Sequence, residues 1–178
     1  MRNIKAGQKP DNSAMAKRMI IMLIITIMPI VIVFFVYKNN PDALLLKEIS
    51  SVSLYFPTLL SANNPLLSSV MNVWCKTAPL WGLVLFILSF KHIQTSSGQS
   101  VGTMVKGLAL CSLLYFPIIY MLLFNSTEMT ESGRLYRVMT QNDYLLTLLF
   151  MIIYAICYVF TAYYLLVIAA TFKVLNKK

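Results

Sequence analysis

Charge is scarce in this sequence. Only 12% of its 178 residues are Asp, Glu, Lys or Arg, against 58% hydrophobic, and its mean hydropathy is +0.72. A soluble domain carries about 25% charged residues, so the composition points to an integral membrane protein. Histidine is scarcer still: His92 is the only one. It leaves neither a metal-ligand cluster nor a His-based triad. Cys75, Cys111 and Cys157 are odd in number and form no CxxC pair, which argues against a disulfide framework or zinc and for small buried apolar side chains. No long apolar run has Asp or Glu near its middle, so a proton relay or coupled-ion site is hard to build. A phosphate-binding glycine loop is missing too. These absences predict a non-enzyme with no cofactor and no metal, whose business is conducted by its surfaces.

What the chain does have is four long apolar runs. The first, 19–37, holds 13 Leu, Ile, Val or Phe residues. At about −0.3 to −0.6 kcal/mol each they favour insertion by roughly 4–8 kcal/mol. Lys-Asn-Asn-Pro follows in place of a small-residue cleavage site, so this run reads as an uncleaved span, bent at Pro29. It lacks Gly, Ala and Ser, and is expected to be the most lipid-exposed span. Further spans are expected at about 71–90, 107–124 and 144–172. Loops cover about 38–70, 91–106 and 125–143, with tails 1–18 and 173–178. Within 38–70, Leu45, Ile49 and Val52 recur at helical spacing, as in a short amphipathic helix on a membrane surface; a loose loop accounts for them equally.

Net charge is +9, from 15 basic and 6 acidic residues. The basic residues lie singly between apolar runs, which favours membrane orientation over nucleic acid as their explanation. If the amino-terminal tail is cytoplasmic, the inner segments hold ten Lys or Arg and one acid, and the outer segments five of each sign. The fold class expected is an all-α integral membrane protein with four transmembrane helices and both termini cytoplasmic. The loops 38–70 and 125–143 are then periplasmic, and 91–106 is cytoplasmic.

The second span is the least uniform. Asn64-Pro65 looks like a helix cap with proline at the first position. Ser69, Asn72 and Lys76 then fall on one face, and a polar stripe in lipid must meet protein, water or headgroups. Pro79 should bend the helix. Ala78 and Gly82 form a small-residue face for close helix contact. Lys76, with Ser69, Asn72 and Thr77, is expected in an outer polar collar with Glu128, Glu131 and Asp143. Ala155, Ala162 and Ala169 recur every seven residues in the last run, which suits a helix-packing seam. The candidate partner-binding residues are therefore Asn72, Lys76, Thr77, Ala78, Pro79, Gly82, Glu128, Asp143, Ala155 and Ala162. A purely structural account of the same residues, with Trp74 and Trp81 as interfacial anchors and Lys76 snorkelling to an outer acid, stays open beside it.

The chain also resembles a known family, the immunity proteins of the A-type pore-forming colicins, those matching colicins A, B and N. The resemblance is densest at Pro41-Asp42-Ala43-Leu44-Leu45-Leu46, Asn64-Pro65-Leu66 with Met71, Lys76-Thr77-Ala78-Pro79 and Phe90-Lys91. It resumes at Glu128, Thr130, Gly133-Arg134, Arg137, Met139 and Asn142-Asp143. The run from Pro41 points to the colicin A branch. The resemblance implies a multi-pass bacterial inner-membrane protein, plasmid-borne, that meets the pore-forming domain of its cognate colicin within the bilayer and keeps the channel shut. Two other readings of the residues stay open: a small membrane subunit of a transport or secretion complex, and a holin-like pore former.

Overall fold

The computed structural model describes residues 13–90 and 101–175. The amino-terminal tail to residue 12, the segment 91–100 with His92 and most of the expected cytoplasmic loop, and residues 176–178 lie outside the described residues. In chain order the elements are α1 (Ser13–Asn39), α2 (Leu44–Ser53), β1 (Leu59–Leu60), α3 (Pro65–Cys75), α4 (Ala78–Ser89), α5 (Val101–Phe124), β2 (Thr127–Glu128), α6 (Arg134–Thr140) and α7 (Asp143–Leu175). Four stretches are long and apolar enough to cross a membrane: Met15–Asn39, Pro65–Ser89, Val101–Phe124 and Asp143–Leu175. At 1.5 Å per residue, the 24-residue α5 is about 36 Å long and the 33-residue α7 about 50 Å. Both exceed a hydrocarbon core of about 30 Å.

The bundle is organised around α7. Helices α1, α3, α4, α5 and α6 all pack on it, and half of its most apolar stretch is buried. Phe150, Tyr154 and Tyr158 fill the interior with Ile30, Met71, Cys75 and Leu85. The physical reason lies in the sequence of α7, which alternates bulky rings with Ala155, Ala162 and Ala169. Ala162 and Ala169 are buried and Ala155 is half-buried.

The most exposed span is not α1. In the most apolar stretch of α5, 6% of residues are buried, against 17% in α1. Small residues proved a poor guide to burial here. Helix α1 packs with Thr26, Ile30 and Phe34, while a Cβ added at Gly107 in α5 would touch nothing.

The chain is helical except for one feature that hydropathy could not reveal. Leu59-Leu60 pairs in parallel with Thr127-Glu128, joining the loop before α3 to the loop after α5. We call this the loop end of the bundle. Beside it, of the two readings open for this stretch, the structure has the short helix, α2, and it has three sectors. Leu46 and Ser53 are buried, with Ser50 bonding Ser69 of α3 at 2.8 Å. Leu45 and Val52 are exposed on the apolar flank. Lys47, Glu48 and Ser51 form the polar flank, where Lys47 bonds Asp42 at 2.8 Å and holds its carboxyl below the usual range. Helix α2 begins after Ala43, and Asn40 Oδ1 accepts from the Asp42 N–H at 3.1 Å, an Asx turn.

Candidate functional site

The second span is interrupted at Lys76 and Thr77, just before Pro79. Helix α3 ends at Cys75 and α4 begins at Ala78. Pro79 occupies the first turn of α4, where its missing N–H is least harmful. The interruption satisfies its own backbone: Lys76 N–H reaches the Asn72 carbonyl, Thr77 N–H and Thr77 Oγ1 both reach the Trp74 carbonyl, and Thr77 offers its carbonyl to Leu80 and Trp81. Unpaired backbone in an apolar medium is expensive, so Thr77 is the residue that makes the break tolerable.

The polar stripe before the break faces protein. Ser69 meets Ser50, and Ser68 Oγ accepts from the Ser61 N–H at 3.0 Å. Asn72 is fully buried, and neither end of its carboxamide has a hydrogen-bond partner among the described residues. Burying such a group unsatisfied costs about 1–3 kcal/mol. Trp74 lies nine residues along α3, about 14 Å from its start at the helical rise, and its indole N–H donates to the Thr26 carbonyl of α1 at 2.9 Å.

The expected collar around Lys76 does not form. Lys76 Nζ donates to the carbonyls of Leu122 and Leu123 at 3.0 and 3.2 Å. These belong to the last turn of α5, whose carbonyls lack partners within the helix and carry its negative dipole end. A helix terminus, not a carboxylate, is the counter-charge. The acids are engaged elsewhere. Asp143 takes Lys38 at 2.5 Å and the Asn64 carboxamide at 2.6 Å. Tyr37 donates to the same Asn64 at 3.3 Å. Asn64 is therefore the N-cap position of α3 without capping it by its side chain; it ties α1, α3 and α7 together instead. Glu128 accepts from Thr130 and from the Ala62 N–H, and the Thr130 hydroxyl bond above all holds its carboxyl below the usual range. Glu131 is exposed.

The Ala78–Gly82 face meets another helix of the same chain. Both residues are buried. A Cβ built on Gly82 would lie 2.8 Å from Thr161 Cβ and 2.9 Å from the Tyr158 carbonyl oxygen, both on α7. Ala162 is buried on that helix as well. Of the ten candidate residues, Asn72, Ala78, Gly82 and Ala162 are thus interior. Lys76, Thr77, Pro79, Glu128, Asp143 and Ala155 keep partial exposure.

Sequence reasoning missed the surface that α5 leaves uncovered. Leu110, Leu113, Phe116 and Tyr120 are each at least 60% exposed. The helix is held near its middle and at its carboxyl end. Towards the termini, the Tyr115 ring stacks on Tyr164 of α7 at 4.4 Å and Ser112 bonds the Tyr164 hydroxyl. Towards the loop end, Lys76 holds it. The signal available in sequence was the lone lysine, whose counter-charge was sought among the acids. No group of three or more His, Cys, Asp or Glu residues is placed to hold a metal among the described residues.

Comparison with known proteins brings in the function. A family model described as "Colicin immunity protein" matches residues 42–178. The colicin-A immunity protein of Citrobacter freundii is 36% identical over 169 residues, covering 94% of each chain. The colicin-B immunity protein of Escherichia coli is 24% identical over 131 residues, covering 74% of this chain and 75% of that one. The colicin-N immunity protein of Escherichia coli is 37% identical over 93 residues, covering 52% and 70%. No solved structure matches the chain.

Proposed function

This chain belongs to the colicin immunity protein family, and we propose that it protects a bacterium by binding the membrane-inserted pore-forming domain of its cognate colicin and preventing the channel from opening. The observation that carries this is the family match over 42–178 together with a relative alike along nearly its whole length. The site is the inner membrane, crossed four times, with both termini cytoplasmic and the β1–β2 end periplasmic. The positive-inside count supports that orientation.

The mechanism needs no reaction. A channel that is 99% open becomes 99% closed if a partner prefers the closed form about 10⁴-fold, or about 5.5 kcal/mol. Lateral helix packing can supply this. Helix α5 is the span with the most side-chain surface left for a foreign helix. The small residues Ala78, Gly82 and Ala162 are already used within the bundle, so they support that face rather than form it.

Protection is the decisive experiment. Cells expressing the chain survive a pore-forming A-type colicin that kills the parent strain, including toxin delivered by osmotic shock past the outer-membrane receptors. They tolerate overproduction of the chain without toxin, as a holin-like pore former would not. Killing by every A-type colicin tested would overturn the reading. The orientation has its own test. A periplasm-dependent reporter fused after Tyr55 is expected to be active, and one fused after Ser97 inactive; the reverse at either point contradicts the topology.

A further inference from the structure

We infer that α2 is seated in the bilayer surface at the loop end, with Leu45 and Val52 turned into the acyl chains and Lys47 and Ser51 towards water. The first observation is the order of residues round the helix. At 3.6 residues per turn, Leu46 and Ser53 share one side, and both are buried. Ser50 beside them bonds Ser69 at 2.8 Å, so this side is fastened to α3. Leu45 and Val52 stand about 100–120° to one side of Leu46, Lys47 and Ser51 about 100–140° to the other. All four are exposed. Leu44 and Glu48 share the outward edge between them. A helix fastened along one side, with an apolar flank and a polar flank facing opposite ways, fits the boundary between hydrocarbon and water.

Depth and direction choose the occupant. A hydrocarbon core of about 30 Å takes about 20 helical residues. Counted from Phe90, the last residue before Lys91, they reach Met71, and Ser69 lies about 3 Å beyond it. Counted from Met19 in α1, they reach Lys38. Asn64 shares that level, through its bonds with Tyr37 and Asp143 and the Lys38–Asp143 pair. Ser69 is five residues along from Asn64, about 7.5 Å deeper. Both counts leave α2 within about 10 Å of the boundary, the depth at which interfacial helices lie. Direction comes from Asp42, which accepts from Lys47 at 2.8 Å. Asp42 stands in the turn beyond the end of α1 at Asn39, so the Lys47 flank faces away from the spans. Leu45 and Val52, on the opposite flank, face the hydrocarbon. Leu54 and Tyr55, 84% and 83% exposed, follow at the end of the helix, where a tyrosine with an apolar body and a polar tip suits the headgroup level. Because Lys47 is paired with Asp42, apolar contact and not headgroup charge holds α2. Through Ser50 and Ser69 the seated helix fixes the height of α3, and with it Lys76, in the membrane.

The inference rests on the apolar stretches crossing a bilayer but does not depend on the toxin. To test it, the full chain carrying Cys111→Ala receives one further substitution at a time: Leu45→Cys, Val52→Cys, Lys47→Cys, Ser51→Cys or, midway along α5, Leu113→Cys. Cys75 and Cys157 are buried, and Cys111→Ala alone gives the labelling background. Each variant is spin-labelled, checked for folding by a thermal melt, and reconstituted into vesicles of phosphatidylcholine with and without phosphatidylglycerol. Collisions with oxygen, which concentrates in lipid, are compared with collisions with a water-soluble nickel chelate. Labels at Leu45 and Val52 are expected to favour oxygen, at a depth of about 5–10 Å, in both kinds of vesicle. Labels at Lys47 and Ser51 are expected to favour nickel. Nickel access at Leu45 and Val52, with oxygen favoured at Leu113, overturns the inference alone. Exclusion of both reagents at Leu45 and Val52 also overturns it, since protein then covers the flank, and so does an oxygen preference that appears only with phosphatidylglycerol. Nickel access at Leu113 as well brings down the membrane-spanning reading, and the inference with it.

Discussion

A Gly82→Leu variant is expected to abolish protection by disrupting the bundle, and Gly82→Ala to weaken it measurably. The reason is the distance between α4 and α7. Even one methyl at Gly82 would sit 2.8 Å from Thr161 Cβ and 2.9 Å from the Tyr158 carbonyl oxygen, closer than carbon and oxygen can approach without movement. Over-packing of a tight contact costs about 1–3 kcal/mol, occasionally more, so alanine should sit within that range and leucine beyond it. Thr161→Gly in the Gly82→Ala background removes the side-chain part of the clash and should restore part of the stability. It cannot restore all of it, because the Tyr158 carbonyl is backbone. Melting of the purified protein followed by tryptophan fluorescence reads the order: parent, then the rescued double variant, then Gly82→Ala, then Gly82→Leu. A Gly82→Ala variant as stable as the parent would contradict the close approach of α4 and α7. The same series separates support from contact: if Gly82 met toxin directly, protection would fall while the melt stayed unchanged.

The small-residue face at Ala78 and Gly82 was legible because close helix approach in lipid depends on small side chains, and those are visible in a sequence. Its partner was not, since any helix can supply the opposing surface. The same limit explains Lys76. A buried cation needs a counter-charge, and acids are the counter-charges a sequence displays. The carbonyls ending α5 are equally good acceptors but belong to every residue type, so nothing in the letters marks Leu122 and Leu123. The four apolar stretches follow from hydropathy; the spacing of Leu45, Ile49 and Val52 allowed α2 without deciding between a helix and a loop. The β1–β2 pair does not, because two residues are too few for any periodicity. Ranking α1 as the most exposed span failed for a related reason. Absence of Gly, Ala and Ser says how closely a helix can be approached, not how many neighbours surround it, and Ile30 and Phe34 bury well without them.

These placements change what a loss of protection at the second span would mean. Asn72, Ala78 and Gly82 are interior, so substitutions there report on the scaffold that presents α5. Helix α5 packs on α7, with Tyr164 against its middle, and Lys76 holds its carboxyl end. A face held at two points can stay extended towards a partner without the rest of the bundle covering it. Lys76 stands at the junction of α3 and α4, where both it and Thr77 keep helical backbone angles, and from there its side chain reaches α5.

Lys76→Met is therefore expected to reduce protection strongly while leaving α4 on α7. Methionine keeps most of the aliphatic stem, which packs independently of the charge, but gives up both bonds to α5. A hydrogen bond involving a charged group contributes about 1.5–3 kcal/mol net, and two share one ammonium here, so the end of α5 should detach locally. Lys76→Arg retains the charge and should keep most of the protection; Lys76→Ala should match or exceed the loss in Lys76→Met. Pro79→Leu acts on the same junction by allowing α3 to continue as regular helix, and it too should lose protection. Deletion of residues 1–11, which lie outside the described residues, is the comparison expected to retain it at matched membrane levels. The structural readout is a spin label at Phe124: its mobility should rise in Lys76→Met and stay near the parent value in Lys76→Arg, while a label at Leu88 on α4 changes in neither. If protection falls in Lys76→Met with the Phe124 label unmoved, the ammonium acts on the toxin and not on α5. If neither protection nor mobility changes, the Lys76–α5 contact does not hold this helix in place.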